Sequence, residues 1–453
     1  MFSEFHFGKV FGFKLSKIHL VNAVEPKGKM LGLCYLGANI SISRIETSES
    51  WMNLMNKNAF LVLLISIHFI FPCKVMANSG LYQKVDYHSK YQPMLDNLIS
   101  EHIPGAVLLV TSKSDVYIGS AGFKDLEKKE PMTTDIVIPN GSAGKKLTAL
   151  LVAMLADEGV INLDVSISTY LDRQLLRQIQ HSEQMTIRQL LNHTSGIFEY
   201  NDVSDYAFFK AQFAQKDKVT TDIFPLGFAL NQPANFKPGK AYAYSNTGYA
   251  LAGVILERVL KQHPSVAIRN KILMPLKMTS SYSKGVETHK PKLASGFFIN
   301  DADPAFPLPM NVWVDTKEII GTTATSDAPL ASSVSDMAKL LRAIVHDNSI
   351  VSRSVRATMI GEKNLVESWG PRFYSSSDFH YGLGVWVEKV RGKTFYHHGG
   401  TEFGYFTQNI YIPDGDVSIT AFANCGVNEH CESEFQNFTF AILDSFLKVR
   451  QGT

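Results

Sequence analysis

A serine and a lysine stand three residues apart in the segment GSAGK, residues 141–145. A serine hydroxyl becomes a good nucleophile when a neighbouring group takes its proton. A lysine amine can do so once burial or nearby positive charge favours its neutral form. Apolar residues at helical spacing begin at Leu147 and end before Gly159. This pattern predicts that Ser142 lies at or near a helix N-terminus and shares a face with Lys145.

The spacing alone does not identify a catalytic pair. Ser281 and Lys284 have the same separation, in a polar segment whose composition is typical of a turn. We interpret that second segment as a solvated loop. For Ser142 the alternative to catalysis is an ordinary N-cap serine beside a surface lysine. Gly144, directly before Lys145, is expected to loosen the first helical turn.

A second group of polar residues, Tyr244-Ser245-Asn246, forms a turn before an apolar helical run that starts at Ala250. Such a turn can project a phenol and an amide into a cleft together. The phenol can act as a general acid or base, and the amide can bind a substrate carbonyl. The alternative is that Tyr244 packs on its neighbours and Asn246 caps the next helix.

A third group is the segment HHGGTEFG, residues 397–404, between two predicted strands. Its glycines allow a substrate to lie close to the strand backbone, whose amides can bind an oxyanion or an extended peptide. The alternative is a tight hairpin with two partly exposed histidines.

Strand patterns near both ends of the chain must position these groups. They occupy residues 106–110, 116–118, 382–387, 409–412 and 417–422. From about residue 150 to 275 the pattern is mostly helical, and a last amphipathic helix carries Phe435, Phe438 and Ile442 on one stripe. This order predicts an α/β (α+β) fold: one mixed sheet built from both ends, flanked by helices. A helical lobe at about 150–275 is inserted, with a ligand cleft between the lobes.

The N-terminal region has the sequence pattern of an export signal. The apolar run 59–71 follows Lys57 and precedes Val75-Met76-Ala77, a small-residue cleavage pattern. This combination is typical of a secretory signal peptide. We expect residues 55–77 to be the signal and residues 78–453 to be a periplasmic or secreted domain. The alternative is an uncleaved signal that anchors the protein in a membrane.

Residues 1–54 form a doubtful upstream extension. Signal peptides begin at the true N-terminus, and Met52 and Met55 lie just ahead of the apolar run. We expect translation of the natural protein to start at one of these two methionines.

Charge and cysteine content narrow the classes of partner and cofactor. A net charge of +2 over 453 residues gives no reason to expect nucleic acid as a partner. If cleavage follows Ala77, only Cys425 and Cys431 remain. They can form a disulfide in an exported protein, and two buried free thiols are the alternative. No cluster of cysteine and histidine has ligand spacing, so neither a metal nor another cofactor is expected.

Taken in order, the three groups resemble the signatures S-x-x-K, Y-x-N and H-x-G of the serine β-lactamase-like superfamily. That superfamily contains class C β-lactamases, D-alanyl-D-alanine carboxypeptidases, D-aminopeptidases and related esterases. The resemblance runs from about residue 90 to the C-terminus. It includes IPGAVLLV at 103–110, DEGVINLDVSISTYL at 157–171, TIRQLLNHTSGI at 186–197 and PLASSVSDMAKLL at 329–341. It implies a β-lactamase/transpeptidase-like fold with a mainly antiparallel sheet.

The resemblance also implies roles for the first two groups. Ser142 would be acylated by the substrate, and Lys145 would take or relay the serine proton. Tyr244 would act as a proton shuttle and help to activate the deacylating water. Asn246 would bind the substrate amide.

For the third group, the resemblance implies an oxyanion hole and a cleft wall. The backbone N–H groups of Ser142 and Thr401, the latter just after Gly400, would bind the oxyanion. His398 would line the cleft without acting as nucleophile or base.

The third group departs from the Lys-Thr-Gly of the β-lactamases. Lys393-Thr394 lies upstream but is followed by Phe395, so it does not complete that motif. Without this lysine and threonine, the usual cradle for a β-lactam carboxylate is missing. A true class C-like β-lactamase is therefore only an alternative hypothesis, as is a non-catalytic penicillin-binding-like sensor or scaffold.

The leading hypothesis is an exported serine hydrolase that forms an acyl-enzyme with D-amino-acid peptides, such as a cell-wall peptide, or with esters. Aromatic residues of the helical lobe either wall the cleft, favouring apolar acyl groups, or form the core of the lobe. These residues are Phe198, Tyr200, Tyr206, Phe208, Phe209 and Phe213.

Overall fold

The computed structural model describes residues 86–287, 293–301, 303–346, 350–370, 372–375 and 377–448. The predicted upstream extension (1–54) and signal peptide (55–77) lie outside these ranges.

Seventeen strands lie in the described part of the chain. They are β1 (Gly105–Thr111), β2 (Val116–Asp125), β3 (Glu130–Pro131), β4 (Ile138–Pro139), β5 (Thr220–Thr221), β6 (Tyr282–Ser283), β7 (Phe297–Ile299), β8 (Trp313–Asp315), β9 (Thr323–Ala324), β10 (Leu330–Ser332), β11 (Val366–Glu367), β12 (Asp378–Tyr381), β13 (Trp386–Val390), β14 (Lys393–His397), β15 (Gly400–Glu402), β16 (Tyr405–Ile412) and β17 (Val417–Ala423).

Ten of these strands form the main sheet, in the order β11-β12-β13-β14-β16-β17-β1-β2-β3, with β15 paired to β16. All of its pairs are antiparallel. The hairpin β1–β2 comes from the start of the described chain, and β1 lies beside β17 from its end. The prediction of one sheet built from both ends is therefore confirmed.

Twelve α-helices complete the described fold. They are α1 (Tyr87–Asp96), α2 (Lys145–Asp157), α3 (Arg173–Leu176), α4 (Ile187–Leu191), α5 (Ala207–Ala214), α6 (Ile223–Ala229), α7 (Asn246–Leu260), α8 (Pro264–Ile268), α9 (Lys317–Gly321), α10 (Val334–Val345), α11 (Arg353–Ile360) and α12 (Glu429–Leu447). None of them combines the length and apolar character needed to cross a membrane.

Helices cover both faces of the main sheet, and β1 illustrates the result. Val107 and Leu109 join the apolar core that contains α2 and α10, whereas Leu108 and Val110 join the core of α1 and α12. Because successive side chains of a strand point to opposite faces, a strand buried on both faces is a continuous apolar run. This explains the uninterrupted AVLLV of the sequence.

The helices from α2 to α8 lie between β4 and β6, with β5 as the only strand among them in the described chain. Short strand pairs join this helical region to the rest. β5 pairs in parallel with β9, and β10 pairs with both β4 and β6. Since β4 ends just before Ser142, its partner β10 lies beside the turn that carries this serine, and β6 lies on the other side of β10.

A disulfide joins Cys425, which follows β17, to Cys431 in the first turn of α12. Of the two alternatives for these cysteines, the bonded one is confirmed. The six-residue separation closes a loop that includes Val427, whose N–H donates to Thr401 Oγ1 over 3.1 Å. The disulfide thus ties α12 to the end of the sheet that carries the third sequence group.

Replacement of both cysteines by alanine should lower the free energy of unfolding by about 2 kcal/mol, because a short loop would regain its freedom in the unfolded chain. Urea unfolding of the wild type and the double variant would measure this. The wild type in reductant should match the double variant. Equal midpoints for the oxidised wild type and the variant would contradict the prediction.

Candidate active site

The serine and lysine of the first sequence group are in direct contact. Residues Gly141–Gly144 form a 3-10 turn that leads into α2, and Lys145 is the first residue of the helix. Its Nζ lies 3.1 Å from Ser142 Oγ, within hydrogen-bond distance, and Lys145 is 0% exposed. The expected position of Ser142 is therefore observed. The alternative of an ordinary surface lysine is wrong, because Lys145 is buried.

Two further oxygens hold the lysine nitrogen. Lys145 Nζ donates to Asn246 Oδ1 over 2.6 Å and to the backbone oxygen of Asp327 over 3.0 Å. These acceptors come from the start of α7 and from the loop before β10. The amine is thus fixed beside Ser142 by two distant parts of the chain.

The turn Tyr244–Asn246 is held by His193, from the segment that follows α4. The Ser245 N–H donates to His193 Nδ1 over 3.0 Å, and Ser245 Oγ caps α7 by accepting from the Gly248 N–H. Burial, and secondarily the charge of Lys145, hold the pKa of His193 well below its usual value. His193 is therefore a neutral acceptor that positions the turn.

Tyr244 lies against the lysine, but its hydroxyl makes no direct hydrogen bond to a described residue. Its ring centroid is 5.1 Å from Lys145 Nζ, and the ring stacks on Trp386 at 6.4 Å with an angle of 10°. Burial raises the pKa of the phenol, while the nearby Lys145 and Ser142 oppose this rise. The structure therefore brings Ser142, Lys145 and Asn246 into hydrogen-bond contact and places the Tyr244 ring beside them.

Glu199 supports Asn246, and the sequence reasoning missed it. Its carboxylate accepts from Asn246 Nδ2 over 3.1 Å, from the Asn246 N–H over 2.6 Å and from the Thr247 N–H over 3.2 Å. Burial raises the pKa of Glu199 to about 7, against the opposing effect of these hydrogen bonds. Because Nδ2 is held by the carboxylate, Oδ1 of the amide must face Lys145. The only signal in the sequence is that Glu199 follows the recognised segment TIRQLLNHTSGI.

Glycines bring the third sequence group close to the serine turn. A Cβ atom on Gly400 would lie 2.2 Å from the Asn140 backbone oxygen and 2.7 Å from the Ser142 nitrogen. A Cβ atom on Gly141 would lie 3.0 Å from the Thr401 nitrogen. Only glycine permits this approach at either position. The segments that carry the backbone nitrogens of Ser142 and Thr401 therefore pack directly against each other.

His398 does not line the cavity next to Ser142, so this part of the expectation is wrong. It is buried, its Nδ1 lies 2.6 Å from the Gly399 backbone oxygen, and its Nε2 lies 3.0 Å from the Tyr381 hydroxyl. Burial, and secondarily the charge of Lys146, hold its pKa well below the usual value. His398 is a neutral residue that packs behind Tyr244, with ring centroids 6.3 Å apart.

The second serine–lysine pair is not a solvated loop, and this interpretation is also wrong. Tyr282–Ser283 form β6, and the Lys284 side chain is 1% exposed. Lys284 Nζ donates to Glu402 Oε1 over 2.5 Å. Ser281 Oγ donates instead to Asp336 over 3.0 Å. The segment therefore contributes a buried ion pair rather than a second nucleophile.

A cavity of about 370 Å³ opens at Ser142. Its lining includes Tyr244, Asn246 and Thr401, and also three charged residues: Lys284, Asp327 and Glu402. None of these three was predicted as a site residue, although Glu402 belongs to the third sequence group. The composition of a turn or loop does not reveal which distant residues it contacts. Among the described residues, no group of three or more histidine, cysteine or acidic side chains could hold a metal.

The aromatic residues of the helical lobe divide between the two roles considered for them. Tyr200, Phe208 and Phe209 line the cavity, together with Phe224 and Phe403. The other three lie outside its lining: Phe198 and Phe213 pack against apolar cores, and Tyr206 donates to Asp303 over 2.6 Å. One wall of the cavity is therefore aromatic.

The chain is similar to known proteins over most of its length. A family profile described as Beta-lactamase matches residues 86–434. Protein flp of Staphylococcus aureus (strain COL) is 29% identical over 243 residues, which are 52% of this chain and 47% of that protein. The chain thus spans about half the length of that relative. Penicillin-binding protein 4* of Bacillus subtilis (strain 168) is 25% identical over 341 residues, which are 74% of this chain and 71% of that protein.

A solved structure supports the same assignment of the fold. D-amino acid amidase from Ochrobactrum anthropi SV3, complexed with L-phenylalanine, superimposes with a TM-score of 0.66 at 22% identity. The superposition covers 79% of this chain and 99% of the amidase. With the profile match extending over most of the chain, the protein belongs to the β-lactamase family of serine hydrolases.

Proposed function

We propose that the protein hydrolyses an amide or ester bond through an acyl-enzyme on Ser142. The observation that carries this proposal is the contact between Ser142 Oγ and the buried Lys145 Nζ, 3.1 Å apart, at a cavity of about 370 Å³. An activated serine needs an adjacent base, a binding space and donors for the developing oxyanion.

The partners of Lys145 support its role as the base. A neutral amine has two N–H donors and one lone pair. Asn246 Oδ1 and the Asp327 backbone oxygen can only accept hydrogen bonds. With both N–H groups donated to these oxygens, the lone pair faces the third neighbour, the Ser142 hydroxyl. Once the amine has given up its extra proton, this arrangement orients its lone pair to take the serine proton.

Ser142 Oγ then attacks the substrate carbonyl carbon, and its proton passes to Lys145. The N–H groups of Ser142 and Thr401 would bind the carbonyl oxygen as it becomes negative, which is the role that the close approach of Gly400 supports. Tyr244, beside Lys145, would carry a proton to the leaving group and would help to activate the water that releases the acyl group.

We propose D-amino-acid peptides or esters as the substrate class. The solved neighbour is named a D-amino acid amidase, one curated relative is a penicillin-binding protein, and one cavity wall is aromatic. The alternative of a non-catalytic module is not favoured, because the contact between Ser142 and Lys145 is intact.

We also propose that the protein is exported, as the apolar run 59–71 and the cleavage pattern at Ala77 predict. The Cys425–Cys431 disulfide supports export, because disulfides persist mainly in oxidising compartments.

Incubation with a fluorophosphonate should add one adduct to the wild type and none to Ser142→Ala, as measured by intact mass. The same variant should lose activity by about 10⁴-fold or more, since no nucleophile remains. Ser281→Ala is the matched control, because Ser281 has the same spacing to a lysine, and it should be labelled like the wild type. An adduct that persists in Ser142→Ala would refute the nucleophile.

Glu199→Gln should remove a step in the pH dependence of kcat. Three donors face this carboxylate, and only its ionised form can accept from all of them. Since its pKa is raised to about 7, the wild-type kcat should rise as pH increases through 7. The variant should lack this step and have a maximal kcat lower by about tenfold, as for loss of a charged hydrogen bond. Exposed Glu183→Gln is the control; identical profiles for Glu199→Gln and the wild type would contradict the role.

N-terminal sequencing of the native protein should find a chain that starts just after Ala77. Cell fractionation should place it outside the cytoplasm, because the signal directs export. A mature form that contains Cys34 would contradict both the signal peptide and the upstream extension.

A further inference from the structure

The disulfide loop, residues 425–431, connects the end of β17 to the first turn of α12 and reaches the cavity at Ser142. Val427, inside this loop, lines the cavity, and so does Thr401. Thr401 carries one of the two backbone N–H groups that would bind the oxyanion, and the rate of the proposed reaction depends on how such donors are aimed. The loop is therefore placed to act on a donor of the oxyanion hole.

Three hydrogen bonds join the disulfide loop, α12 and Thr401 in a closed triangle. Thr401 Oγ1 donates to Glu432 Oε1 over 2.9 Å. The Val427 backbone nitrogen lies 3.1 Å from Thr401 Oγ1 and 3.1 Å from Glu432 Oε1. A hydrogen bond from a hydroxyl to a carboxylate is stronger than one between neutral groups. One oxygen of Glu432 therefore fixes both the Thr401 side chain and the backbone of the loop.

The strand that carries Thr401 needs a restraint of this kind. β15 has three residues, Gly400–Glu402, and pairs with β16 alone among the described strands. A strand of this length forms few ladder hydrogen bonds to fix its orientation. Its orientation toward Ser142 therefore depends on contacts outside the sheet, and the bond from Thr401 to Glu432 is one of these contacts.

The disulfide loop has a backbone conformation that its sequence does not favour. Val427 has a φ of +55°, and a β-branched residue in the left-handed region is an outlier. A Cβ atom on Gly426 would lie 2.2 Å from the Tyr405 backbone oxygen and 2.5 Å from the Glu402 backbone oxygen, so the loop packs tightly on the turn between β15 and β16. Such strain persists where surrounding contacts hold it, and it clusters at functional sites. The loop is therefore shaped by its contacts around Thr401.

The Cys425–Cys431 disulfide is the covalent part of this restraint. Cys431 directly precedes Glu432 in the first turn of α12, and both cysteines are 0% exposed. Thr401 is exposed, so water competes for its hydrogen bond to Glu432, and that bond is weak by itself. The disulfide ties the start of α12 to the end of β17 and thereby keeps the Glu432 carboxylate beside Thr401.

We propose that Glu432, anchored by the Cys425–Cys431 disulfide, is a positioning residue that orients Thr401 as a donor of the oxyanion hole. Glu432 does not belong to the cavity lining, so it acts through Thr401 and not on the substrate. This inference rests on the proposed function and adds the first turn of α12 to the groups that set its rate.

The first test is the effect of Glu432→Ala on the hydrolysis of a p-nitrophenyl ester. The variant should lower kcat by about tenfold, less than the hundredfold or more that is typical for complete loss of an oxyanion donor. KM should change little, because the oxyanion develops in the transition state and not in the bound substrate. Glu432→Gln keeps an acceptor oxygen and should retain most of the activity.

Exposed Glu429→Ala is the matched control for this test. Glu429 lies in the same first turn of α12 and carries the same charge, so its loss reproduces the change in charge at the helix N-terminus. This control should have the wild-type kcat. An equal loss in Glu429→Ala, or a rise in KM with unchanged kcat in Glu432→Ala, would overturn the positioning role.

A double-mutant cycle tests whether Glu432 acts through Thr401. Thr401→Val removes the hydroxyl but keeps the backbone N–H, and it should lower kcat by the same factor as Glu432→Ala. Since the two substitutions remove one shared contact, the double variant should lose no more activity than either single variant. Losses that multiply in the double variant would overturn the proposal.

The disulfide is tested in the same assay. Cys425→Ala/Cys431→Ala should lower kcat by a similar factor at a temperature where its melting curve shows it to be folded, because α12 is no longer tied to β17. Adding Glu432→Ala should cause little further loss. Absence of turnover by the wild type would refute the proposed function. An active wild type with the same kcat as the folded cysteine variant would refute the anchoring role of the disulfide.

Discussion

Burial of the Lys145 amine constrains the site more than any other interaction. A lysine with no exposure to water must have its nitrogen satisfied by protein groups, since an unpaired buried amine is costly. The three oxygens that satisfy it come from its own turn, from the start of α7 and from the loop before β10. The hydrogen bonds that the buried Lys145 nitrogen needs therefore join the helical region to the rest of the fold next to Ser142.

A second layer keeps those oxygens in place. Glu199 sets the orientation of the Asn246 amide, and His193 receives the N–H of Ser245. The contact of Gly400 with the serine turn leaves no room for a side chain. The positions of the reacting groups therefore depend on residues that do not line the cavity.

The sequence predicted what depends on local spacing and on the order of motifs. Ser142, Lys145, Tyr244 and Asn246 are predicted in this way to be site residues, and the sheet built from both ends of the chain is predicted from the order of the strand patterns. The prediction from sequence was wrong where the burial of a residue depends on contacts with distant parts of the chain. Ser281–Lys284 has the composition of a turn, but pairing of β6 with β10 buries it beside Glu402. Asp327 lies in a loop, and only the folded chain reveals its unpaired oxygen.

The groups that position the nucleophile differ from the groups that set the charge of the cavity. The serine and its base depend on Lys145 and its three oxygens, and none of these contacts involves the Lys284 amine. The charged residues that line the cavity are Asp327 and the buried Lys284–Glu402 ion pair. A single acidic residue at 402 cancels the cation without touching Lys145, and the neutral His398 adds none. The contacts that position Lys145 and the ion pair that neutralises Lys284 therefore involve different side chains.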